Sequence, residues 1–239
     1  NTPSDEDLKV LMITHKVLAS QQGYEQLLGI LNDGLRNKED PFLIFFVDTV
    51  EPIYHALDTS NTQLLYDTLG IKWYPITKKS EKAKWKSLYS QLTEARTQKV
   101  IDVFEAIIHS QLIPIPPKVD GWYRLYEDAP ETIYASETTI QQFLQLDYAQ
   151  FIAVKDFLYP DAQFSTEHGV KGEEYDNVVF VISKGWNQYQ FETYAPMITG
   201  HVAIPKDKEA SYERNRNLFY VCCSRPKKRL FFFVTVPID

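Results

Sequence analysis

The sequence contains 239 residues, of which 44% are hydrophobic and 14% aromatic, and its formal net charge is −7 at pH 7. This length and composition predict one large or two small folded domains and exclude a collagen-like or disordered chain. The acidic balance argues against a uniformly basic nucleic-acid-binding surface and against a polybasic membrane anchor, so nucleic-acid binding would require a local basic patch. No apolar stretch approaches the roughly 20 residues of a membrane-spanning helix, which predicts no membrane partner.

The two cysteines, Cys222 and Cys223, are adjacent in the sequence. Neighbouring cysteines rarely pair, and two of them make no disulfide framework, so we expect a reducing, cytoplasmic location. None of the five histidines falls at a zinc-binding spacing from these cysteines, and no metal site is predicted.

The first half of the chain is predicted to begin with a strand and to continue as helices. Residues 8–14 are dense in apolar and β-branched types and predict a buried strand. Apolar residues then recur at helical spacing over residues 15–35, and Gly34 is the expected helix end. The helical pattern fills residues 40–109, with Pro41 at a helix start, whereas residues 113–135 predict an irregular link.

The second half returns to alternating elements. Residues 137–158 predict a helix, 163–166 a short strand, 177–183 a buried strand, 209–222 a helix and 229–236 a final buried strand. Strands near both ends with helices between them predict an α/β fold, in which a mainly α-helical insertion interrupts a parallel sheet.

A polar segment between two predicted strands combines glycines with cationic and acidic side chains. Its sequence is Phe-Ser-Thr-Glu-His-Gly-Val-Lys-Gly-Glu-Glu-Tyr-Asp-Asn-Val over residues 164–178. Thr166, His168 and Lys171 could donate to phosphate, and Glu174 could accept from a ribose hydroxyl. Such a loop at a sheet edge is a common ligand site, and Gly172 would allow close backbone approach. The alternative is a solvated loop whose glycines only make turns.

A second polar segment, residues 213–230, holds several arginines and lysines around the predicted last helix and strand. The simplest interpretation is an amphipathic helix with a basic end, as the helix dipole favours.

Both segments resemble helicase motifs of the UvrD/Rep family of superfamily 1. The first resembles motif V, with matches at Thr166, His168, Lys171, Gly172, Glu174 and Tyr175. In that family the threonine and histidine lie beside single-stranded DNA and the glutamate contacts the nucleotide sugar. Glu173 stands where the family commonly has leucine, a change that makes the loop more acidic.

The second segment is similar to motif VI, with matches at Arg216, Leu218, Tyr220, Val221, Ser224, Arg225 and Lys227. The resemblance implies that Arg225 is the arginine finger, whose guanidinium neutralises charge on the phosphoryl group during ATP hydrolysis. Arg216 would be a supporting arginine. Pro226 replaces the usual alanine after the finger.

A third, shorter resemblance covers Leu8 to Ala19, which is similar to the strand and helix start that follow motif IV. Thr14 and His15 would then face DNA, although Thr14 could instead only cap the following helix.

The family resemblance implies a RecA-like core domain of the P-loop NTPase type, formed by residues 1–35 and 137–239, with a 2B-like helical insertion at 36–136. It implies the C-terminal motor half of an ATP-dependent DNA helicase or translocase with 3′-to-5′ polarity. Its partners would be single-stranded or duplex-junction DNA and the N-terminal RecA-like domain of the same protein.

The sequence contains no P-loop, because no glycine is followed by lysine, and no Walker B segment. ATP and Mg²⁺ would therefore be bound mainly by the N-terminal core domain, and the isolated chain is predicted not to hydrolyse ATP. The alternative is a non-catalytic module that keeps the motor fold for DNA or partner binding. In that case the basic cluster from Lys78 to Lys86 would contact duplex or partner, unless it is only a solvated helix face.

Overall fold

The computed structural model describes residues 8–12, 15–71, 78–158, 164–166, 172–182 and 190–235. The chain divides into two compact units, one formed by residues 1–21 with 156–239 and the other by residues 22–155. Residues 22–35 and 137–155, which the sequence analysis assigns to the core domain, fall in the second of these units.

The first unit contains a sheet of parallel strands. The described strands are β1 (Leu8–Met12), β4 (Phe164–Thr166), β5 (Tyr175–Ile182) and β6 (Pro226–Val234), in the order β4-β1-β5-β6. The observed α/β class and the parallel pairing agree with the prediction and are compatible with a RecA-like fold. The β-branched and aromatic content of β5 suits a strand with a neighbour on each side.

Two helices, α12 (Phe191–Ile198) and α13 (Glu209–Cys223), contribute to the core of this unit. Its buried members are Leu11, Val178, Phe180, Ile182, Phe191, Leu218 and Cys222. Helix α12 was not predicted from the sequence. The first helix, α1 (His15–Gln22), ends before Gly23, whose φ of +83° terminates it.

The expectation that the last strand is buried is wrong. Strand β6 has β5 as its partner and lies at the edge of the described sheet. Consequently Phe233 is 60% exposed and Phe232 is 48% exposed. An apolar run in the sequence indicates a strand but not its position within the sheet.

The second unit is mainly helical, as predicted. It contains α2 (Glu25–Leu31), α3 (Asp33–Arg36), α4 (Pro41–Phe45), a π-helical turn (Phe46–Val50), α5 (Glu51–Asp58), α6 (Thr62–Leu69), α7 (Lys79–Ala95), α8 (Val100–Ser110), α9 (Pro117–Asp128), α10 (Ile140–Leu144) and α11 (Ala149–Leu158), together with the short strands β2 (Ile133–Ala135) and β3 (Thr138–Thr139).

Two predictions in this unit fail at specific residues. The single helix expected over residues 15–35 is divided at Gly23 and at Asn32, and Gly34 lies inside α3. The irregular link expected at 113–135 contains α9, because Pro117 occupies the first helical turn, where its missing N–H costs nothing.

A buried ion-pair cluster joins three helices of the second unit. Glu51 is 1% exposed, and Arg96 donates to both of its carboxylate oxygens at 2.8 Å. Tyr148 donates its hydroxyl to Glu51 at 3.0 Å, and Lys155 lies 3.7 Å away. Burial and the adjacent Glu51 charge raise the pKa of Tyr148 well above its ordinary value, which keeps this hydroxyl a donor.

Candidate functional site

The motif V-like and motif VI-like segments meet at the amino ends of β5 and β6. Tyr175 begins β5 and is the register partner of Pro226, the first residue of β6. The Tyr175 amide donates to the carbonyl of Arg225 at 3.0 Å. Backbone hydrogen bonding therefore holds the start of β5 next to Arg225, the residue that precedes β6.

The guanidinium of Arg225 is half-buried and contacts acceptors from both segments. Its Nε donates to the Val221 carbonyl at 3.0 Å, and its Nη1 donates to the Glu173 carbonyl at 3.0 Å. Its Nη2 donates to the Ser224 hydroxyl at 3.1 Å. The Val221 carbonyl lies in the last turn of α13, where a cation is favoured by the helix dipole and by carbonyls that lack helical partners. Arg225 thus links the end of α13 to the turn that precedes β5.

Glu174 and Gly172 belong to that turn. The carboxylate of Glu174 is exposed and lies 3.8 Å from the ammonium of Lys227. Gly172 has a φ of +92°, a conformation in which a residue with a side chain would be strained. Asp176 forms a second pair with Lys228 at 2.6 Å. The amino end of β5 is therefore acidic and faces the basic amino end of β6, and Glu174 remains accessible from solvent.

Glu173 makes two contacts in the structure that the sequence did not indicate. Besides accepting from Arg225 through its carbonyl, it accepts a hydrogen bond from the Tyr175 hydroxyl through its carboxylate. Burial, followed by the Glu173 carboxylate, raises the pKa of Tyr175 above its ordinary value. The ammonium of Lys9 lies 4.9 Å from the centroid of the Tyr175 ring, a cation–π distance. The sequence identified Glu173 only as a departure from the motif, and nothing in the sequence singled out Lys9.

Arg216 lies elsewhere on α13. Its side chain is exposed, with Nη2 3.4 Å from Asn217 Oδ1 and the guanidinium carbon 5.7 Å from the centroid of the Tyr212 ring. It precedes Arg225 by nine residues, which corresponds to about 13 Å along a helix axis. The described structure therefore does not bring Arg216 to the Arg225 contacts.

The neighbour of Arg216, Asn215, was missed by sequence reasoning. It is fully buried, accepts from the Gln190 amide at 3.0 Å and donates to the Ser211 carbonyl at 2.8 Å. The bond with the Gln190 amide joins α13 to the start of α12, whereas the bond with Ser211 lies within α13. A single asparagine in a polar helix carries no sequence signal for this role.

Several predicted DNA-facing residues fall outside the described part of the chain. Thr14, His168 and Lys171 lie outside the described residues, and only the backbone of His15 and of Thr166 is described. His15 is the first residue of α1, directly beyond the end of β1.

The polar segment does not form a loop at one edge of the sheet, contrary to the expectation. Thr166 pairs with Met12 at the carboxyl end of β1, whereas Asn177, near the start of β5, pairs with Leu8 at the amino end of β1. Leu8 and Met12 are four residues apart in β1, so at a rise of about 3.3 Å per residue Thr166 and Asn177 lie about 13 Å apart along the strand direction. The two ends of the segment therefore lie at opposite ends of the sheet.

Among the described residues, no three acidic, histidine or cysteine side chains are grouped closely enough to hold a metal ion. The cations present at the candidate site, Arg225 and Lys227, are suited to phosphate oxygens, and Glu174 is suited to a sugar hydroxyl. No helix in the described ranges is both long enough and apolar enough to cross a membrane.

Comparison with known proteins identifies a distant relative. No profile of a known protein family matches the chain. The chain is 22% identical to Gabija protein GajB of Bacillus cereus strain HuB5-5 over 278 aligned positions, which cover 95% of this chain and 39% of the relative. The chain therefore spans well under half of the length of that protein, and across this part it has a distant sequence relationship to Gabija protein GajB.

Proposed function

We propose that this chain is the C-terminal motor half of an ATP-dependent DNA helicase or translocase, with 3′-to-5′ polarity by family resemblance. The observation that carries the proposal is the contact between Arg225 and the turn containing Glu174, because it places the finger candidate and the sugar-binding candidate at one end of the sheet. The distant similarity to Gabija protein GajB supports a helicase-related function.

The chemistry follows from the acceptors that Arg225 now contacts. All three are neutral oxygens, from the Val221 and Glu173 carbonyls and the Ser224 hydroxyl. A phosphate oxygen is a stronger acceptor for guanidinium than a carbonyl, because its negative charge adds to the hydrogen bond. Arg225 can therefore exchange the Glu173 carbonyl for a nucleotide phosphate. ATP would supply the phosphoryl group whose hydrolysis drives movement, and Mg²⁺ would be bound mainly by the N-terminal core domain.

This exchange would couple the two ligands. Releasing the Glu173 carbonyl frees the turn at Gly172, which continues toward Lys171, His168 and Thr166, the residues proposed to contact DNA. The opposite ends of this segment lie about 13 Å apart along the strands. One segment can therefore contact nucleotide at one end of the sheet and DNA at the other. Thr14 and His15, which follow β1, are proposed to add to the DNA contacts.

The deciding experiment measures ATP hydrolysis stimulated by single-stranded DNA in the longest natural form of the protein. Arg225→Ala is expected to lower turnover by about 10³-fold or more while a nucleotide analogue still binds. Arg214→Ala is the matched control, since Arg214 is exposed on α13, and it should stay within about twofold of wild type. The chain of residues 1–239 alone is expected to show no turnover.

Two results would contradict the proposal. Full turnover in the Arg225→Ala variant would show that this arginine is not the finger. Absence of turnover in the wild-type protein with every DNA tested would favour the alternative, a non-catalytic DNA- or partner-binding module with a motor-like fold.

A further inference from the structure

Arg225 is joined to the start of β5 both through its backbone and through its side chain. Its carbonyl accepts from the Tyr175 amide at 3.0 Å, and its guanidinium donates to the Glu173 carbonyl at 3.0 Å. The Tyr175 hydroxyl donates in turn to the Glu173 carboxylate. These three hydrogen bonds close a ring of Glu173, Tyr175 and Arg225, which we call the Arg225 clasp. Arg225 is therefore held by a stretch of three residues rather than by a single acceptor.

The side-chain bond of the clasp restricts the Glu173 carbonyl. Glu173 follows Gly172, whose φ of +92° lies in a region open to glycine, a residue with wide backbone freedom. Without an anchor, the peptide group after Glu173 would lose conformational entropy whenever its carbonyl accepts from Arg225. The bond from the Tyr175 hydroxyl to the Glu173 carboxylate supplies that anchor within two residues. Leucine, which commonly stands at this position of motif V, could not accept such a bond.

Tyr175 is held in place independently of this bond. Its side chain is half-buried, and the Lys9 ammonium lies 4.9 Å from the centroid of its ring. The next residue, Asp176, forms an ion pair at 2.6 Å with Lys228 of β6. Removal of the Tyr175 hydroxyl should therefore leave the pairing of β5 with β6 intact and release only the Glu173 side chain.

We propose that Tyr175 is a positioning residue that keeps Arg225 bound to the Glu173 carbonyl until a nucleotide phosphate displaces that carbonyl. Two acceptors of the guanidinium, Val221 and Ser224, lie within four residues of Arg225, whereas Glu173 is 52 positions away. Among these three acceptors, Glu173 is therefore the one that holds the side chain against the start of β5. The inference rests on the proposed function, in which the guanidinium must leave Glu173 to reach the phosphoryl group, so that the clasp opposes turnover.

Phenylglyoxal labelling of the 1–239 chain tests the clasp without nucleotide. The rate at which Arg225 is modified is followed by peptide mass spectrometry at about pH 8, where the Glu173 carboxylate is ionised. Tyr175→Phe removes only the hydroxyl and is expected to raise this rate about fivefold, because one hydrogen bond typically changes an equilibrium by about that factor. Glu173→Leu should raise the rate equally, whereas Glu173→Gln, which keeps an oxygen acceptor, should stay within about twofold of wild type.

Tyr89→Phe is the matched control for the loss of a hydroxyl. The Tyr89 hydroxyl also donates to a carboxylate, that of Asp58 at 2.7 Å, but both residues belong to the second unit. Both tyrosine variants should lower the melting temperature by about 2–4 °C, yet Tyr89→Phe should leave the labelling rate of Arg225 within about twofold of wild type. Arg214, which is exposed on α13, is the internal reference. An equal increase at Arg214 and Arg225 in Tyr175→Phe would indicate unfolding of α13 and would overturn the proposal.

ATP hydrolysis by the longest natural form of the protein separates positioning from a purely structural role. Without DNA, Tyr175→Phe is expected to raise kcat about fivefold, because more of the protein has a free Arg225 guanidinium. KM for ATP should stay within about twofold of wild type, since this guanidinium acts on the transition state. Loss of structure would lower kcat instead.

The two measurements distinguish failure of this inference from failure of the motor proposal. Unchanged labelling of Arg225 in Tyr175→Phe would overturn the inference, and so would raised labelling with an unchanged or lower kcat. Absence of turnover in the wild-type protein would contradict the motor proposal, and the labelling rates would still decide whether Tyr175 positions Arg225.

Discussion

The buried carboxylate of Glu51 provides a quantitative test of how the helical unit is held together. Replacing Glu51 by glutamine keeps the size of the side chain but removes the charge that two cations share. Arg96 would keep at most one of its two hydrogen bonds of 2.8 Å, because the amide NH2 of glutamine cannot accept, and Lys155 would lose a carboxylate 3.7 Å away. The variant therefore leaves two positive charges close together with no counter-charge between them.

The expected cost can be estimated from the burial of the partners. Removing one member of a buried pair costs about 3–5 kcal/mol, because the remaining charge stays desolvated. The Arg96 side chain is 15% exposed and that of Lys155 is 24% exposed, so water can relieve part of the penalty. The Arg96 guanidinium also keeps its position 3.7 Å from the centroid of the Tyr54 ring. We therefore expect the lower end, about 3 kcal/mol.

Urea denaturation followed by far-ultraviolet circular dichroism measures this loss, and the melting temperature should fall by about 6–12 °C. Glu94→Gln is the matched control, because Glu94 is an exposed glutamate of α7, and it should change stability by less than about 0.5 kcal/mol. The double variant Glu51→Leu with Arg96→Met should cost less than Glu51→Gln alone, since it leaves fewer unpaired charges. A loss below about 1 kcal/mol for Glu51→Gln would refute the reasoning.

Two further predictions rest on shifted pKa values. Burial raises the folded-state pKa of Asp40, which also caps α4 by accepting from the Leu43 amide at 2.8 Å, above its ordinary 3.8. Its protonation stabilises the fold at low pH, and this contribution is lost as pH rises from 3.8 through the raised value. Between pH 3.8 and the raised pKa, the unfolding free energy of the Asp40→Asn variant should therefore fall less with pH than that of wild type. The same pH dependence in both proteins would contradict a raised pKa for Asp40. Burial also raises the pKa of the Cys223 thiol to about 11. Iodoacetamide labelling of Cys223 at about pH 8, followed by mass spectrometry, should be about a hundredfold slower in the folded than in the unfolded chain; equal rates would exclude this burial.

The fold was predictable where a local pattern has only one interpretation. The density of β-branched residues around Val178 and Val179 predicts a strand, and the parallel pairing follows from the alternation of strands with helices. The errors occur where one residue overrides the pattern. Gly23 interrupts an otherwise continuous helical periodicity, and Pro117 starts a helix in a segment whose prolines indicated irregular structure.

The sequence proposed residues for the candidate site but not the contacts between them. The sequence singled out Arg225 and Glu174 by resemblance to motifs, and the structure places them at adjoining strand ends. It could not indicate that Glu173 receives the Arg225 guanidinium, because that bond goes to a backbone carbonyl, which every residue possesses. Thr166 and Gly172 lie at opposite ends of the sheet because β4 and β5 both run parallel to β1, a separation that the predicted parallel sheet already implied.

Helix α7 is held in the second unit by an ion pair at its carboxyl end and by apolar packing along one face. At its carboxyl end Arg96 follows the favourable direction of the helix dipole and pairs with the buried carboxylate of Glu51, which joins this end of the helix to α5. At its amino end Glu81 stands in the first turn, where an acidic side chain suits the helix dipole. Trp85 and Leu88 are buried between these two ends. The placement of α7 therefore depends on buried groups at its centre and carboxyl end, which is why the loss of the Glu51 charge is expected to destabilise the whole helical unit rather than one turn.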